Sequence, residues 1–351
     1  MIFRSKNELI GLDIGSRTIK AGEVAETNKG LILKRFGMAE IPPGMIEEGT
    51  VNDPEGVSRC IKNLLKDHNF KSRNVAVSIG GYSVIVKKIV MAAMEEEQAQ
   101  ETIPFEAEQY IPFDIADVNL DFEILGPNEH NPNQMNVLLV AAKKEMIDGF
   151  VNLVNMADLN PCVVDVDAFA LQNIFKANYD AVEENVALID IGYSKTSLNI
   201  LKDETSVFMR DVSLGCGQID QQIASKLACS VEEAEKIKLT RESDRISAEQ
   251  LAEIVTSIVS EWCLEIRRAL DFFYSTYPED QIQKIILSGG GGHIQEFRQL
   301  LSIEASADVK TIDPFQKIHT DEKIFEKRYL EEIAPQAGIC LGLALRKVND
   351  K

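Results

Sequence analysis

The sequence repeats one short pattern, Asp-Ile-Gly, at Asp13 and again at Asp190. Each copy ends an apolar run that is typical of a buried strand and precedes a polar turn. A carboxylate at the end of a strand can hold a hydrated cation, because Mg²⁺ prefers carboxylate oxygens and keeps several of its waters. The glycine lets the backbone turn sharply and direct N–H groups at an anion. Two such turns, facing each other, predict a site that grips the phosphate tail of a nucleotide and its Mg²⁺.

This interpretation assigns a role to each residue type in the two turns. Asp13 and Asp190 are the predicted Mg²⁺ ligands, acting through water. Backbone N–H groups of Gly15, Ser16 and Arg17 would contact the terminal phosphates, and Lys20 would add a positive charge. The predicted phosphate ligands are Gly15, Ser16, Arg17, Thr18 and Lys20 in the first turn, and Gly192, Tyr193, Ser194, Lys195 and Thr196 in the second.

A third element is a run of four glycines, Gly289, Gly290, Gly291 and Gly292, directly after the apolar segment Ile285-Ile-Leu. Glycines at the carboxyl end of a strand allow close approach to a flat ligand, and α/β proteins bind ligands there. A helix beginning near His293 would add its positive N-terminus. Taken singly, an Asp-x-Gly turn is ordinary turn chemistry and a glycine run can be a linker. The three elements in this order favour a nucleotide site.

Size, charge and cysteine usage narrow the class of protein. A chain of 351 residues exceeds the size of a single growing core, so at least two lobes are expected. A net charge of −19 argues against binding to nucleic acid or anionic lipid, because both need a basic face. No apolar stretch is long enough to insert into a membrane. The six cysteines are dispersed, as in a reducing cytoplasm, and no disulfide or zinc pattern is present.

The periodicity predicts a strand meander followed by a helix in each half of the chain. We therefore expect an α/β fold of duplicated, actin-like (RNase H-like) type, with two lobes around a nucleotide cleft and a subdomain inserted in each lobe. Helices are predicted over 219–238 and 247–277, and a loop over 126–134. The predicted boundaries are 1–90, 146–182 and 334–351 for subdomain 1A, 91–145 for the inserted subdomain 1C, 183–215 and 282–333 for 2A, and 216–281 for 2B.

These motifs resemble those of the actin, Hsp70 and sugar-kinase ATPase superfamily over nearly the whole chain. The two Asp-Ile-Gly turns look like its phosphate motifs, and Leu287-Ser-Gly-Gly looks like its adenosine motif. The segments 165–173 and 334–345 resemble its two connecting segments. In relatives, an acidic and a basic residue on one helix hold the ribose and adenine. The segment Ala234-Glu-Lys-Ile-Lys238 resembles that helix and nominates Glu235 and Lys238, against the plainer interpretation of a surface helix.

The insertion in the first half contains Phe105-Glu-Ala-Glu-Gln-Tyr-Ile-Pro-Phe113 and Val118-Asn-Leu-Asp-Phe-Glu-Ile-Leu-Gly126. These segments resemble the insertion of the PilM family of type IV pilus assembly proteins, which are related to FtsA. The resemblance implies a cytoplasmic ATP-binding scaffold that stays at the inner-membrane face through a partner. That partner is the N-terminal tail of a PilN-like membrane protein, and pilus motor ATPases are a further class to consider. Candidate residues of the tail groove are Tyr110, Ile111, Phe113 and Phe122, which could equally form the insertion's own core.

Two other functions fit the same motifs. A small-molecule kinase would use Asp167, or Asp165, as the base that activates its substrate. A filament former of the FtsA or MreB type is the third hypothesis. Since relatives that hydrolyse ATP use glutamine or a similar residue to position water, aspartates at 165 and 167 predict ATP turnover that is slow or absent.

Overall fold

Two five-stranded sheets of the same topology form the body of the protein in a computed structural model that describes residues 9–47, 49–180, 184–348 and 350. In the first sheet the order is β10-β6-β1-β2-β3, and in the second it is β15-β14-β11-β12-β13. The first sheet consists of β1 (Ile10–Ile14), β2 (Thr18–Thr27), β3 (Gly30–Glu40), β6 (Asn74–Ile79) and β10 (Asn160–Val166). The second consists of β11 (Asn185–Ile191), β12 (Thr196–Lys202), β13 (Thr205–Val212), β14 (Ile282–Ser288) and β15 (Asp308–Thr311).

The pairing pattern of the two sheets confirms the predicted duplication. In each sheet the strand with the Asp-Ile-Gly motif pairs antiparallel with the next strand and parallel with a later one. β1 lies between β2 and β6, as β11 lies between β12 and β14. Both motifs therefore end a central strand, which is where a two-lobed nucleotide cleft requires them.

The insertion in the first half is a three-stranded antiparallel sheet of order β7-β9-β8. It consists of β7 (Val84–Ala92), β8 (Val118–Asn128) and β9 (Asn131–Lys143), with helix α2 (Glu96–Ala107) between the first two strands. The predicted loop over 126–134 is wrong, because β8 and β9 continue into a hairpin that turns at residues 129–130. The predicted subdomain boundary at residue 91 falls within β7.

Helices cover the sheets and join the two halves. The remaining helices are α1 (Pro54–Asp67), α3 (Lys144–Met156), α4 (Asp167–Asn178), α5 (Gly217–Leu227), α6 (Val231–Thr240), α7 (Ala248–Thr276), α8 (Gln295–Ala305) and α9 (Lys327–Ala344). A short hairpin pairs β4 (Ile46–Glu47) with β5 (Thr50–Val51). The single helix predicted over 219–238 is wrong, because Ala228 takes a left-handed conformation and Ser230 caps a new helix through the Glu233 N–H.

Helices α4 and α9 cross between the two sheets and share one apolar core with both of them. Glycines allow the close packing. A Cβ on Gly342 of α9 would overlap the carbonyl oxygen of Ala170 in α4, and a Cβ on Gly11 of β1 would lie 2.5 Å from the Ala344 nitrogen. Because α4 and α9 pack against each other and against both sheets, their crossing joins the two lobes.

Candidate functional site

The tips of the two Asp-Ile-Gly turns meet. The hydroxyl oxygens of Ser16 and Ser194 lie 2.9 Å apart, although the residues belong to different sheets. Each turn closes on itself in the same way, since the Gly15 N–H donates to the Thr18 carbonyl at 3.1 Å and the Gly192 N–H donates to the Lys195 carbonyl at 2.9 Å. The two glycine N–H groups, which we expected to face phosphates, therefore stabilise the turns instead.

Buried carboxylates and ammonium groups line the cleft behind these tips. Lys20 donates to Asp13 across β1 and β2, with 2.9 Å between Nζ and Oδ2. Burial raises the pKa of Asp13 in spite of that lysine. Burial also raises the pKa of Asp190 to about 6. Two carboxylates whose ionisation is disfavoured by burial gain from a nearby cation, as expected at a Mg²⁺–phosphate site.

Asp167, the base of the kinase hypothesis, begins α4 and is paired with a residue of the second turn. Lys195 Nζ donates to Asp167 Oδ2 at 2.6 Å. Burial opposes ionisation of Asp167, but the Lys195 ammonium outweighs it and holds the pKa of Asp167 below its usual value. A carboxylate that is ionised but engaged by a lysine is a poor proton acceptor, so the geometry does not favour the kinase hypothesis.

Arg17 bridges the two lobes at the tip of the first turn. Its guanidinium donates to Glu235 on α6 and to the carbonyl oxygen of Ile41, and it lies 5.7 Å from the ring centre of Tyr193. Glu235, nominated as a ribose ligand, is thus held by the first Asp-Ile-Gly turn.

Lys238, nominated with Glu235, forms a second buried ion pair. Its Nζ lies 2.7 Å from Oδ1 of Asp220 on α5 and donates to Oδ2 at 2.9 Å. Asp220 is completely buried, and burial raises its pKa to about 6. The pair fixes α6 against α5 and thereby sets the position of Glu235, one turn earlier on the same helix.

Replacing Lys238 with methionine should lower the free energy of unfolding by about 3–5 kcal/mol at pH 8, because it leaves the Asp220 charge buried and unpaired. The loss should shrink below pH 6. A carboxyl whose folded pKa is raised costs no stability below its unfolded pKa and the full penalty above its folded pKa, and loss of the lysine raises that folded pKa further, so the two proteins differ mainly above pH 6.

Denaturant unfolding of the Lys238→Met variant at pH 5 and pH 8 measures both effects. The matched control is the double variant with Asp220→Asn, which removes the charge and should recover most of the loss. A loss that is independent of pH would show that the methionine disturbs packing instead.

Three glycines of the four-glycine turn pack closely against other elements, whereas the fourth, Gly290, has free space around it. A Cβ on Gly289 would overlap the Ile191 carbonyl, and one on Gly291 would overlap the Ile191 side chain. Gly292 lies against Pro335 of α9, whereas a Cβ on Gly290 would meet nothing within 4 Å. The glycines therefore let this turn dock on β11 beside the second phosphate turn. They continue as a 3₁₀ turn over Gly290–His293, and α8 begins only at Gln295.

Two cavities border this arrangement. One of about 390 Å³ lies between the end of α6, the start of α7 and the glycine turn, and is lined by Arg241, Ala248, Leu251, His293, Gln295 and Glu296. A larger one of about 860 Å³ has Asp167 among its lining residues. Its walls are β7 of the insertion on one side and β13 and α7 of the second lobe on the other.

The turn after β6 also belongs to the site, although sequence reasoning missed it. A Cβ on Gly80 would lie 2.5 Å from Asp167 Oδ2 and overlap the Lys195 ammonium, and the Gly81 N–H donates to Asp211 of β13. The signal was present in the sequence. Ser78-Ile-Gly-Gly after β6 parallels Ser288-Gly-Gly after β14, at equivalent places in the two sheets.

The candidate tail residues lie around the core of the insertion. Ile111 is buried in that core, while Tyr110, Phe113 and Phe122 are partly exposed. Lys87 and Lys143, both on the insertion sheet, place their ammonium groups 5.1 Å and 4.5 Å from the ring centres of Tyr110 and Phe113. The aromatic side chains are therefore held in place by cation–π contacts and still present surface.

Comparison with known families identifies this arrangement. Residues 11–348 match the family model of type IV pilus assembly protein PilM. The chain belongs to the PilM family. The fold also superposes on a solved PilM-PilN type IV pilus biogenesis complex with a TM-score of 0.87 and 29% identity, covering 98% of this chain and 99% of that one.

More distant structures share only the actin-like fold with this PilM-family chain. The ethanolamine utilization protein EutJ from Carboxydothermus hydrogenoformans gives a TM-score of 0.60 at 13% identity, covering 98% of this chain and 90% of that chain. MreB5 of Spiroplasma citri, solved bound to ADP, gives 0.52 at 12% identity, covering 93% and 98%. The described helices of the PilM-family chain include none with the length and apolarity to cross a membrane.

Proposed function

We propose that this PilM-family chain is a nucleotide-binding, actin-like scaffold of the type IV pilus platform, and that ATP with Mg²⁺ closes its lobes. The observation that carries the nucleotide part is the meeting of the two Asp-Ile-Gly turns, with 2.9 Å between the hydroxyls of Ser16 and Ser194. A polyphosphate between the turns would contact both lobes at once. Its binding energy would then depend on the angle between them.

The donor set fits a Mg²⁺-bound nucleotide. Among the described residues no group of three His, Cys, Asp or Glu side chains is placed to ligate a metal ion directly. Asp13 and Asp190 would therefore hold Mg²⁺ through its waters, which suits an ion that dehydrates reluctantly. When bound, the ion neutralises phosphate charge. Lys20, paired with Asp13, and Lys195, paired with Asp167, would be shared with the phosphate oxygens.

The nucleoside end has a place beside the glycine turn. The cavity of about 390 Å³ is large enough for a purine and borders both the glycine turn and helix α6. Glu235 and Lys238 lie on that helix and remain our proposed ribose and adenine contacts. Since Lys238 is engaged by Asp220, we assign the direct contact chiefly to Glu235.

Slow or absent hydrolysis follows from the pairing of Asp167. The Lys195 ammonium at 2.6 Å occupies the carboxylate that would otherwise orient a water or a substrate hydroxyl. The nucleotide would then set a conformation more than it drives a reaction. The walls of the 860 Å³ cavity come from different lobes, so closure would change its width next to the insertion.

The partner in this proposal is the cytoplasmic N-terminal tail of a PilN-like inner-membrane protein, because a PilM-PilN complex is the solved structure that this chain matches at TM-score 0.87. Tyr110, Phe113 and Phe122 are the proposed contacts, as they are the partly exposed aromatics of the insertion. Such binding would keep the protein at the cytoplasmic face of the inner membrane. Contacts with the motor ATPases of the pilus belong to the same proposal.

Thermal unfolding with and without ATP and Mg²⁺ tests the nucleotide part. Millimolar ATP with Mg²⁺ should raise Tm of the wild-type protein by several degrees, since a ligand at about 100 times its Kd adds about 2.7 kcal/mol. The Asp13→Ala variant should show little shift. If both proteins melt alike with and without nucleotide, the site does not bind ATP.

Titration with a synthetic tail peptide tests the partner part. We expect binding to weaken about tenfold or more in a Tyr110→Ala variant, because a partly buried aromatic is lost from the contact. The matched control is Tyr329→Ala on α9, since Tyr329 is 36% exposed and lies outside the insertion. Equal binding by both variants would place the tail elsewhere. ATP-dependent sedimentation of the protein alone would favour a filament former instead.

A further inference from the structure

The side chain of Arg17 makes contacts in both lobes, although only its backbone N–H is expected to bind phosphate. It crosses from the first lobe to the second and donates to the Glu235 carboxylate. Its other terminal nitrogen donates to the Ile41 carbonyl in its own lobe. The guanidinium plane lies near the Tyr193 ring, with its central carbon 5.7 Å from the ring centre. Three groups from both lobes therefore fix this cation between the two turns.

This cation is buried but not fully satisfied. Arg17 is only 9% exposed, and its Nε–H has no hydrogen-bond partner. A buried donor without an acceptor costs free energy, so an unpaired charged donor at the edge of a phosphate site indicates a place for an anion. The five N–H donors of arginine suit phosphate oxygens. Because they all lie in the plane of the guanidinium, a second or third acceptor can bind while the existing hydrogen bonds are kept.

Glu235, the partner of Arg17, is more accessible than the guanidinium it binds. It is the proposed ribose contact, yet its Oε2 accepts from Arg17. The Glu235 side chain is 20% exposed, whereas the Arg17 side chain is 10% exposed. The carboxylate is therefore the more accessible member of the pair and can be reached by a ligand from the α6 side of the cleft. A nucleoside whose ribose binds the Glu235 carboxylate would displace Arg17 from it, and the guanidinium would then lack an anionic partner.

We infer that Arg17 is an exchangeable ligand, paired with Glu235 in the free cleft and with a phosphate oxygen when a nucleoside diphosphate or triphosphate is bound. This inference rests on the proposed function, because it concerns the same site. The exchange makes phosphate recognition and ribose recognition depend on each other. A ligand with both groups satisfies Arg17 and Glu235 together, whereas a nucleoside alone must compete with Arg17 for the carboxylate.

Loss of the Arg17 side chain should change the affinities for Mg²⁺–ADP and for adenosine in opposite directions. Removing the guanidinium takes away a phosphate contact and also a competitor for Glu235. An Arg17→Ala variant should bind Mg²⁺–ADP at least tenfold more weakly than wild type. The same variant should bind adenosine several-fold more tightly than wild type, because Glu235 is released. A purely structural bridge between the lobes would predict that both affinities fall together.

Equilibrium titrations with Mg²⁺–ADP and with adenosine, on wild type and each variant, measure this. Arg17→Gln serves as a second variant if the alanine variant folds poorly, and Arg59→Ala is the matched control because Arg59 is an exposed arginine paired on its own helix, α1, with Glu55. Weaker ADP binding together with tighter adenosine binding for Arg17→Ala, and no change for Arg59→Ala, supports the exchange. Unchanged ADP affinity, or adenosine affinity that does not rise, overturns it. A wild-type protein that binds neither ligand overturns the proposed function itself, and this inference with it.

Discussion

Replacing Gly342 with alanine is expected to lower the free energy of unfolding by about 2–3 kcal/mol, although alanine favours helices by about 1 kcal/mol over glycine. The added methyl group would overlap the carbonyl oxygen of Ala170 and lie 2.5 Å from its carbonyl carbon. A clash with backbone cannot be relieved by a change of rotamer, so helices α4 and α9 must move apart. Because the two helices join the lobes, the movement should also reduce the affinity for nucleotide.

Denaturant unfolding compares this variant with a matched control, Gly149→Ala. Gly149 also lies in a helix, α3, but a Cβ there would meet nothing within 4 Å. The control should therefore gain up to about 1 kcal/mol from helix propensity. If Gly342→Ala is as stable as wild type, the crossing of α4 and α9 is looser than the structure shows.

Replacing Asp190 with asparagine should have opposite effects on binding and on stability. We expect the affinity for Mg²⁺–ATP to fall by about a hundredfold or more, since a water-mediated ligand of the ion loses its charge. The same change should stabilise the fold at pH 8 by about 1–3 kcal/mol. Burial raises the pKa of Asp190 from 3.8 to about 6, and each pKa unit corresponds to about 1.4 kcal/mol, less where solvent reaches the carboxylate.

The pH dependence separates this mechanism from a simple packing effect. A carboxyl whose pKa is raised by folding costs no stability below its unfolded pKa and the full penalty above its folded pKa. The gain from Asp190→Asn should therefore be near zero at pH 4 and complete by pH 8. Urea unfolding at both pH values checks it, with the exposed Glu322→Gln as control. A gain of equal size at pH 4 would rule out the buried charge as its cause.

Much of the fold could be predicted because its signals are local. An apolar run that ends in Asp-Ile-Gly marks a buried strand and its turn, and this held for both Asp13 and Asp190. The errors also have local causes. Ala228 adopts a left-handed conformation, which alanine rarely takes and which its residue type therefore does not predict. The helix predicted over 219–238 is for this reason two helices, α5 and α6. Between residues 126 and 134, turn-forming residues are incorporated in a long hairpin by its pairing partners.

The predicted site residues stay a prediction, but the structure shows which of their pairings the sequence could indicate. Asp13 and Lys20 are cross-strand neighbours, so their contact follows from the register of one meander. The contacts of Arg17 with Glu235 and of Lys195 with Asp167 depend on how the two lobes meet, which no local pattern encodes. The glycine pair at Gly80 is visible in the sequence, but the reason for a glycine there appears only once Lys195 is beside it.

The place of α9 has a consequence for the order in which the chain can fold during synthesis. The Cys340 thiol donates to the Gly11 carbonyl across 329 residues of sequence. The strand with the first Asp-Ile-Gly motif thus leaves the ribosome long before it gains its covering helix, residues 327–344. At about 5–20 residues per second, the apolar face of β1 waits on the order of half a minute. Chaperone dependence is therefore expected to be concentrated in the first lobe, although both lobes have the same topology.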